Sequence, residues 1–233
     1  MRPITDSVPK CLVTIDGKPL IDYWLELLVT NGVEPMIVNT HWLAEQMADH
    51  VRRSPFASRI TVTYEEELLG TGGTLLRNRE FFEDGPVMVI HADNLSHFDV
   101  LSFVAAYERR PPLVEITMMT FTTSMPQSCG IVEVDGEGVV RMFHEKVPNP
   151  PSNLANAAVY IVSPMVVEFL ERLGKQVIDF STEVVPAFIG RINTFHNDVY
   201  HRDIGTPESL AAARSEYSSL RRRLDATPTA LQP

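Results

Sequence analysis

Along the first half of the chain, segments whose apolar residues recur at helical spacing alternate with segments whose apolar residues follow a strand pattern. In residues 19–30 the apolar side chains Leu20, Tyr23, Trp24, Leu27 and Leu28 recur at helical spacing, which predicts one buried helix face. Continuous or alternating apolar runs instead predict strands at 13–15, 35–40, 60–64 and 86–91. Further helices are predicted at 43–51, 72–78 and 100–109. Such alternation is typical of βαβ units.

The second half has fewer helices between its strands. Strands are predicted at 114–122, 130–135, 139–144 and 157–163, and helices at 164–173, 181–189 and 207–220. The run DGEG at 135–138 predicts a hairpin turn. The pattern therefore predicts one α/β domain over 1–222, with a central mixed, mostly parallel sheet in a Rossmann-like arrangement flanked by helices, and a small β-rich lobe. Residues 223–233 are predicted to form a disordered tail.

The composition is that of a globular domain and argues against nucleic-acid and membrane partners. Of 233 residues, 44% are hydrophobic and 21% are charged, as in an ordinary globular domain. The net charge of −10 argues against a nucleic-acid partner, because such proteins cluster Lys and Arg. No apolar run approaches ~20 residues or resembles a signal peptide. We therefore expect a cytoplasmic protein without a membrane partner, whose two cysteines form no disulfide framework or metal set.

Asp93 and Asp203 are the candidate metal ligands. Asp93 follows the apolar strand predicted at 86–91, and ligands of α/β sheets lie beyond the carboxyl ends of strands. Asp203 precedes Ile204 and Gly205 near the end of the chain. Carboxylate oxygens are ligands that Mg²⁺ prefers. Each aspartate taken alone is also explained as a loop residue that caps a turn or a helix, as we expect for Asp99 at the helix from 100.

Two isolated lysines and a glycine-rich loop extend this candidate site. Together with the two aspartates they suit a site for a nucleoside triphosphate, Mg²⁺ and a phosphorylated acceptor. In order, the runs are RPIT at 2–5 with PK at 9–10, GTGG at 70–73, HAD at 91–93, EK at 145–146 and HRDIGTP at 201–207. The residues of these runs and their order over 2–220 resemble the motifs of the sugar-1-phosphate nucleotidylyltransferases, also called nucleoside-diphosphate-sugar pyrophosphorylases.

The resemblance implies a role for each matching residue. It implies that Asp93 and Asp203 bind Mg²⁺ and that Lys10 neutralises phosphate. Lys146 would hold the sugar phosphate and Glu145 a sugar hydroxyl. The substrate-binding residues that it further implies are Gly70, Thr71, Gly72 and Gly73 at the base, and Gly130 and Asn156 at the sugar. Asn156 is also explained as a turn residue at a strand end.

Several residues depart from the family pattern, and HAD at 91–93 differs slightly from the usual N-G-D. Val147 separates Lys146 from the usual proline, Cys129 replaces an aromatic residue, and Ala158 replaces a glycine. The last two changes lie in the segments that the family uses against the sugar. We therefore expect them to alter the choice of sugar.

The resemblance implies an enzyme that transfers a nucleotidyl group from an NTP to a sugar 1-phosphate, releasing pyrophosphate. The segments 153–156 and 203–210 are most similar to the branch that transfers guanylyl to mannose- or heptose-1-phosphate, while thymidylyl and uridylyl transfer stay open. The alternative is a non-catalytic homologue that binds or senses a sugar nucleotide. A homo-oligomer is left open.

The family's opening strand and G-G-x-G-T-R-L loop have no counterpart before Arg2. Since Lys10, Asp93, Lys146 and Asp203 are all present, we expect an upstream start rather than a lost function. We also expect the printed chain to be inactive and to be unstable or insoluble, because a missing central strand exposes its neighbours' edges.

Overall fold

The first half of the chain folds into alternating strands and helices, as its pattern predicts. A computed structural model describes residues 1–82 and 85–226. The elements of this half are β1 (Thr14–Ile15), β2 (Lys18–Pro19), α1 (Leu20–Thr30), β3 (Met36–Thr40), α2 (Ala44–Arg53), β4 (Ile60–Tyr64), α3 (Gly70–Arg77), β5 (Val87–Ile90), β6 (Asn94–His97) and α4 (Val100–Glu108). Helix α1 buries the predicted face, including Leu20 and Trp24. Asp99 caps α4 by accepting a hydrogen bond from the Ser102 N–H at 3.0 Å.

The second half supplies most of the main sheet. Its elements are β7 (Ile116–Thr122), β8 (Gly130–Val134), β9 (Val140–Glu145), β10 (Leu154–Val162), α5 (Pro164–Arg172), a π-helical turn (Phe180–Val184), α6 (Val185–Ala187), β11 (Ile192–His196), β12 (Tyr200–Asp203) and α7 (Pro207–Ala226). The predicted helix over 181–189 is thus a π turn followed by one short α-helical turn. Pro186 has no N–H to bond the carbonyl four residues earlier, which disfavours a regular α-helix there.

Strand β10 lies at the centre of the main sheet. It pairs antiparallel with β7 on one side, and its two halves pair with β5 and β8 on the other. β7 pairs parallel with β11, and β8 forms a hairpin with β9. The start of β9 returns to β11, because Gly190 N–H donates to Val140 O at 2.9 Å and Thr194 N–H donates to Gly138 O at 3.0 Å. The path β11–β7–β10–β8–β9 is therefore bent so that its first and last strands meet.

Apolar side chains fill both faces of this sheet. Tyr160 and Phe180 lie in a cluster with α5 on one face, and Trp24 and Phe103 lie in a cluster with α1 and α4 on the other. The mixed sheet flanked by helices is confirmed, and the share of parallel pairs is smaller than expected. Among the described pairs only β3–β4 and β7–β11 are parallel, since the hairpin β8–β9 and the returning strand β10 pair antiparallel.

Strands β3 and β5 each have one unpaired edge within the described part of the chain. β3 pairs only with β4, and β5 pairs only with β10. Side chains of both, including Val38 and Ile90, nevertheless pack in one apolar cluster with α1 and α2. Met88, Val89 and Ile90 stay partly exposed although the strand is strongly apolar. The two sheet edges therefore share a core without a hydrogen-bonded connection.

Helix α7 extends farther than the sequence prediction. It runs through Ala226, whereas the sequence pattern predicts its end at 220. Good helix formers continue there, which favours extension. The rest of the expected tail, 227–233, lies outside the described residues. Over the parts of the chain that the structure describes, no helix combines the length and apolarity needed to cross a membrane.

Candidate active site

Lys10, Asp93 and Asp203 meet at one point of the fold. Lys10 opens a short 3₁₀ turn, Asp93 lies in the turn between β5 and β6, and Asp203 ends β12. β12 pairs antiparallel with β6 in a register that sets Asp203 opposite Asn94. Lys10 Nζ lies 2.5 Å from Asp93 Oδ2 and 3.7 Å from Asp203 Oδ1. The structure therefore brings together three candidate residues that are widely separated in the sequence.

Buried polar contacts hold the turn that carries Asp93. The side chain of Asn94 is buried and donates to Ala157 O at 3.3 Å, while Trp24 Nε1 donates to Asn94 O at 2.9 Å. His91 N–H donates to Ala158 O at 3.3 Å. These contacts connect the turn both to helix α1 and to the middle of β10.

A second set of contacts holds the strand that carries Asp203. Arg202 forms a bidentate ion pair with Glu216 of α7, with N–O distances of 2.7 and 2.5 Å. Tyr200 OH also donates to Glu216, at 3.1 Å. A paired charge that makes two parallel hydrogen bonds fixes direction as well as distance. Helix α7 therefore positions β12 beside β6.

The donor chemistry of the two aspartates fits Mg²⁺. Both carboxylates are partly open to solvent, with side chains 39% and 64% exposed for Asp93 and Asp203. Among the described residues no group of three or more His, Cys, Asp or Glu side chains forms a metal site. Mg²⁺ in nucleotide enzymes is typically held by one or two carboxylates, with substrate phosphates and water completing the shell. A pair of carboxylates therefore meets the requirement of that ion.

The glycine loop packs tightly against another part of the chain. A Cβ atom added at Gly70, Gly72 or Gly73 would lie 2.5, 2.8 or 2.2 Å from atoms of Ile178 or Gln176. The N–H groups of Gly72 and Gly73 both point to Ile178 O, at 3.0 and 3.4 Å. These glycines are therefore required for close packing of 176–178, a constraint that the sequence did not reveal.

Thr71 connects the glycine loop to the strand before Asp93. Its Oγ1 shares a hydrogen bond of 2.8 Å with Nε2 of His91. Burial lowers the pKa of His91 below its ordinary value, so the imidazole is neutral at pH 7. The loop and the turn with Asp93 are thereby held together without an added charge.

The residues expected at the sugar lie around the β8–β9 hairpin. Glu145 ends β9 and pairs with Gly130, where an added Cβ would lie 2.7 Å from Glu145 Oε2. Lys146 adopts a left-handed backbone with φ of 49°, and its N–H donates to Cys129 O at 3.2 Å. Its ammonium lies 3.5 Å from Glu145 Oε1 and is 66% exposed. This glycine gives Glu145 room, and the lysine projects into solvent.

Asn156 stabilises a bulge in β10. Its Oδ1 accepts from Ala158 N–H at 2.9 Å, and its Nδ2 donates to Tyr160 OH at 2.6 Å. Ala158 has a φ of 54°, a left-handed conformation that favours glycine. Asn156 therefore lies within β10 at a bulge and not in a turn at the end of a strand.

Among the described ion pairs, Lys146 contacts Glu145, whereas Lys10 contacts Asp93 and Asp203. Asp179 is an acid that the sequence reasoning missed. Burial lowers the pKa of His91 and raises the pKa of Tyr160, and the negative charge of Asp179 adds a smaller upward effect on both, which indicates that Asp179 lies near them. Its position before Thr182, whose N–H it caps at 2.7 Å, was the available signal.

A cavity of about 570 Å³ lies elsewhere, between α2 and the outer strand β4. Its lining includes Leu43, Ala44, Val62 and Tyr64 and none of the residues discussed above. The candidate site is therefore defined by converging side chains and not by this cavity.

Mannose-1-phosphate guanylyltransferases are among the known proteins whose sequences are similar to this chain. It is 30% identical over 230 residues to a mannose-1-phosphate guanylyltransferase catalytic subunit beta of Drosophila pseudoobscura pseudoobscura, covering 96% of this chain and 61% of that protein. It is 28% identical over 221 residues to a mannose-1-phosphate guanylyltransferase of Mycobacterium tuberculosis, covering 93% of this chain and 60% of the relative. The chain thus spans about 60% of the length of these curated relatives.

The fold also matches a solved structure. HddC from Yersinia pseudotuberculosis, complexed with GMP-PN, superimposes with a TM-score of 0.78 at 24% identity, and 93% of each chain is covered. This likeness confirms the predicted fold class. A family model described as nucleotidyl transferase matches residues 1–219. The resemblance read from the motifs is therefore confirmed, and the chain belongs to the nucleotidyl transferase family.

Proposed function

We propose that this protein transfers a nucleotidyl group from an NTP to a sugar 1-phosphate and releases pyrophosphate. The observation that carries the proposal is the convergence of Lys10 with Asp93 and Asp203, at 2.5 and 3.7 Å, in a chain of this family. In the reaction, an oxygen of the sugar phosphate bonds to the α-phosphorus while the bond from that phosphorus to the pyrophosphate oxygen breaks. Pyrophosphate leaves with the electron pair, so no covalent enzyme intermediate is required.

In this proposal some site residues neutralise the charge of the phosphates, and others orient the sugar phosphate. Two anions must approach each other, so cationic groups have to offset their repulsion. Asp93 and Asp203 would hold Mg²⁺, which when bound neutralises phosphate charge and polarises the α-phosphate. Lys10 would bind phosphate oxygens beside them. Lys146 would bind the sugar phosphate, and Glu145 and Asn156 would bind sugar hydroxyls.

We propose guanylyl transfer to a mannose- or heptose-type 1-phosphate as the specific reaction. Support comes from the two relatives named for mannose-1-phosphate guanylyltransferase activity and from the HddC structure with GMP-PN. The assay is pyrophosphate release from four NTPs against mannose-, heptose- and glucose-1-phosphate, run on the 233-residue chain and on a chain that carries the family's opening strand and glycine loop in front of Arg2. Release only with UTP or dTTP would contradict the guanylyl proposal and leave the reaction class standing.

Asp93→Asn and Asp203→Asn test the metal ligands. Each substitution removes a charge that would hold Mg²⁺, so we expect turnover to fall about a hundredfold or more. Asp99→Asn is the matched control, because Asp99 caps α4 and an asparagine also caps helices. Full activity of Asp93→Asn would contradict the metal assignment. Tight binding of a nucleotide sugar with no pyrophosphate release from any substrate pair would favour the non-catalytic homologue.

A further inference from the structure

The ammonium of Lys10 lies against the same carboxylates that the proposed function gives to the divalent cation. It contacts Asp93 Oδ2 at 2.5 Å and approaches Asp203 Oδ1 at 3.7 Å. We infer that Lys10 competes with the divalent cation for these two aspartates, so that the cation binds well only when a polyphosphate draws Lys10 away. This inference rests on the proposed function and adds a coupling between its two ligands.

The charges explain why the competition must occur. Mg²⁺ binds carboxylate oxygens at about 2.0–2.1 Å, closer than the ammonium lies now. A cation bound to Asp93 Oδ2 would therefore approach Lys10 Nζ while both shared one oxygen. Two carboxylates supply two negative charges, whereas the ammonium and a divalent ion supply three positive charges. A polyphosphate provides the missing anion and gives the ammonium other oxygens.

The local structure allows Lys10 to exchange partners without unfolding. Its backbone is fixed in the 3₁₀ turn, where Val13 N–H donates to Lys10 O at 3.1 Å. The side chain is 30% exposed and ends a flexible four-carbon stem. The ammonium can thus rotate from carboxylate to phosphate about a stationary Cα. Coupling of this kind is reciprocal, so bound metal should also favour polyphosphate binding.

The test measures Mn²⁺ binding to the nucleotide-free protein by electron paramagnetic resonance, with Mn²⁺ as the probe. Lys10→Met should bind Mn²⁺ about tenfold more tightly than the wild type, within the range usual for coupled sites. Lys10→Arg keeps the charge and should stay close to the wild type. Lys18→Met is the charge-matched control, because Lys18 pairs with Glu26 of α1 outside the proposed site, and it should leave Mn²⁺ affinity unchanged.

Asp93→Asn in the Lys10→Met background separates the two proposals. If Mn²⁺ binds equally to wild type and Lys10→Met and Asp93→Asn abolishes it, the competition is overturned while the metal site stands. If Asp93→Asn has no effect on Mn²⁺ binding, the metal assignment falls and the competition falls with it. Should Lys10→Met fail to fold, as judged by circular dichroism, Lys10→Gln replaces it. Mn²⁺ binding by Lys10→Gln that is no tighter than wild type overturns the inference.

Discussion

At the scale of single residues, Ala158 is held in a left-handed conformation inside a strand. For an alanine this conformation costs roughly 1–2 kcal/mol. Glycine relieves that cost but adds about 0.4–1 kcal/mol of unfolded-state entropy and loses a methyl contact. We therefore expect Ala158→Gly to leave the free energy of unfolding within about 1 kcal/mol of the wild type.

Ala158→Val gives the opposite result at the same position. Its branched Cβ fits poorly at a φ of 54°, so the free energy of unfolding should fall by more than about 2 kcal/mol. Urea unfolding of both variants measures the difference. A large loss of stability for Ala158→Gly would contradict the left-handed assignment.

Gly73 is constrained by packing, and its replacement should be costly. A Cβ there would lie 2.2 Å from Gln176 O, so one backbone segment would have to move. We expect Gly73→Ala to lower the free energy of unfolding by about 2 kcal/mol or more. Gly136→Ala is the control, since an added Cβ meets nothing within 4 Å and the change should be small. Equal thermal unfolding temperatures for the two variants would contradict the packing.

Single residues also show where sequence reasoning succeeds and fails. The sequence identifies Lys10, Asp93 and Asp203, because the residues around them match the motifs of a family. The fold brings the three side chains together. The packing role of Gly73 could not be read from the sequence, because its partner Gln176 is distant in the chain and carries no motif.

At the scale of secondary structure, the ion pair between Arg202 of β12 and Glu216 of α7 can be tested by substitution. Glu216→Ala removes the partner of Arg202 and of Tyr200 OH. Because the pair is bidentate and partly buried, we expect a loss of about 1–2 kcal/mol in the free energy of unfolding. Ser215→Ala, an exposed neighbour on α7, should change it by less than about 0.5 kcal/mol.

A double-mutant cycle with Arg202→Met isolates the pair itself. The coupling energy between Arg202 and Glu216 should be about 1 kcal/mol. Additive effects of the two substitutions would show that the ion pair contributes nothing beyond its separate side chains.

Elements with a strong pattern were predicted, and short polar ones were not. Helix α1 and strand β4 carry clear apolar periods and appear close to the expected positions. Strands β6 and β12 read NLSH and YHRD, which show no strand pattern. They are strands because they pair with each other although they lie far apart in the sequence. The local sequence of either strand does not predict such pairing.

At the scale of the whole molecule, the unpaired edges of β3 and β5 predict self-association. Within the described residues each strand offers a row of free backbone groups beside a shared apolar core. Such edges pair readily with strands of other molecules. Sedimentation velocity of the 233-residue chain should show species that grow with concentration. A single monomeric boundary at every concentration would show that these edges are protected.

The site draws on both ends of the chain, and this determines when it forms. Arg214 of α7 donates to Thr14 O, 200 positions earlier in the chain. Asp203, at the end of β12, lies close to Lys10. At ~5–20 residues per second, synthesis on a ribosome leaves Lys10 waiting roughly ten to forty seconds for Asp203, and Asp93 roughly five to twenty seconds. All strands of the main sheet have been translated once β11 has been made, whereas the proposed cation site also requires β12. A nascent chain halted between these strands would contain the sheet and one aspartate, without the second carboxylate.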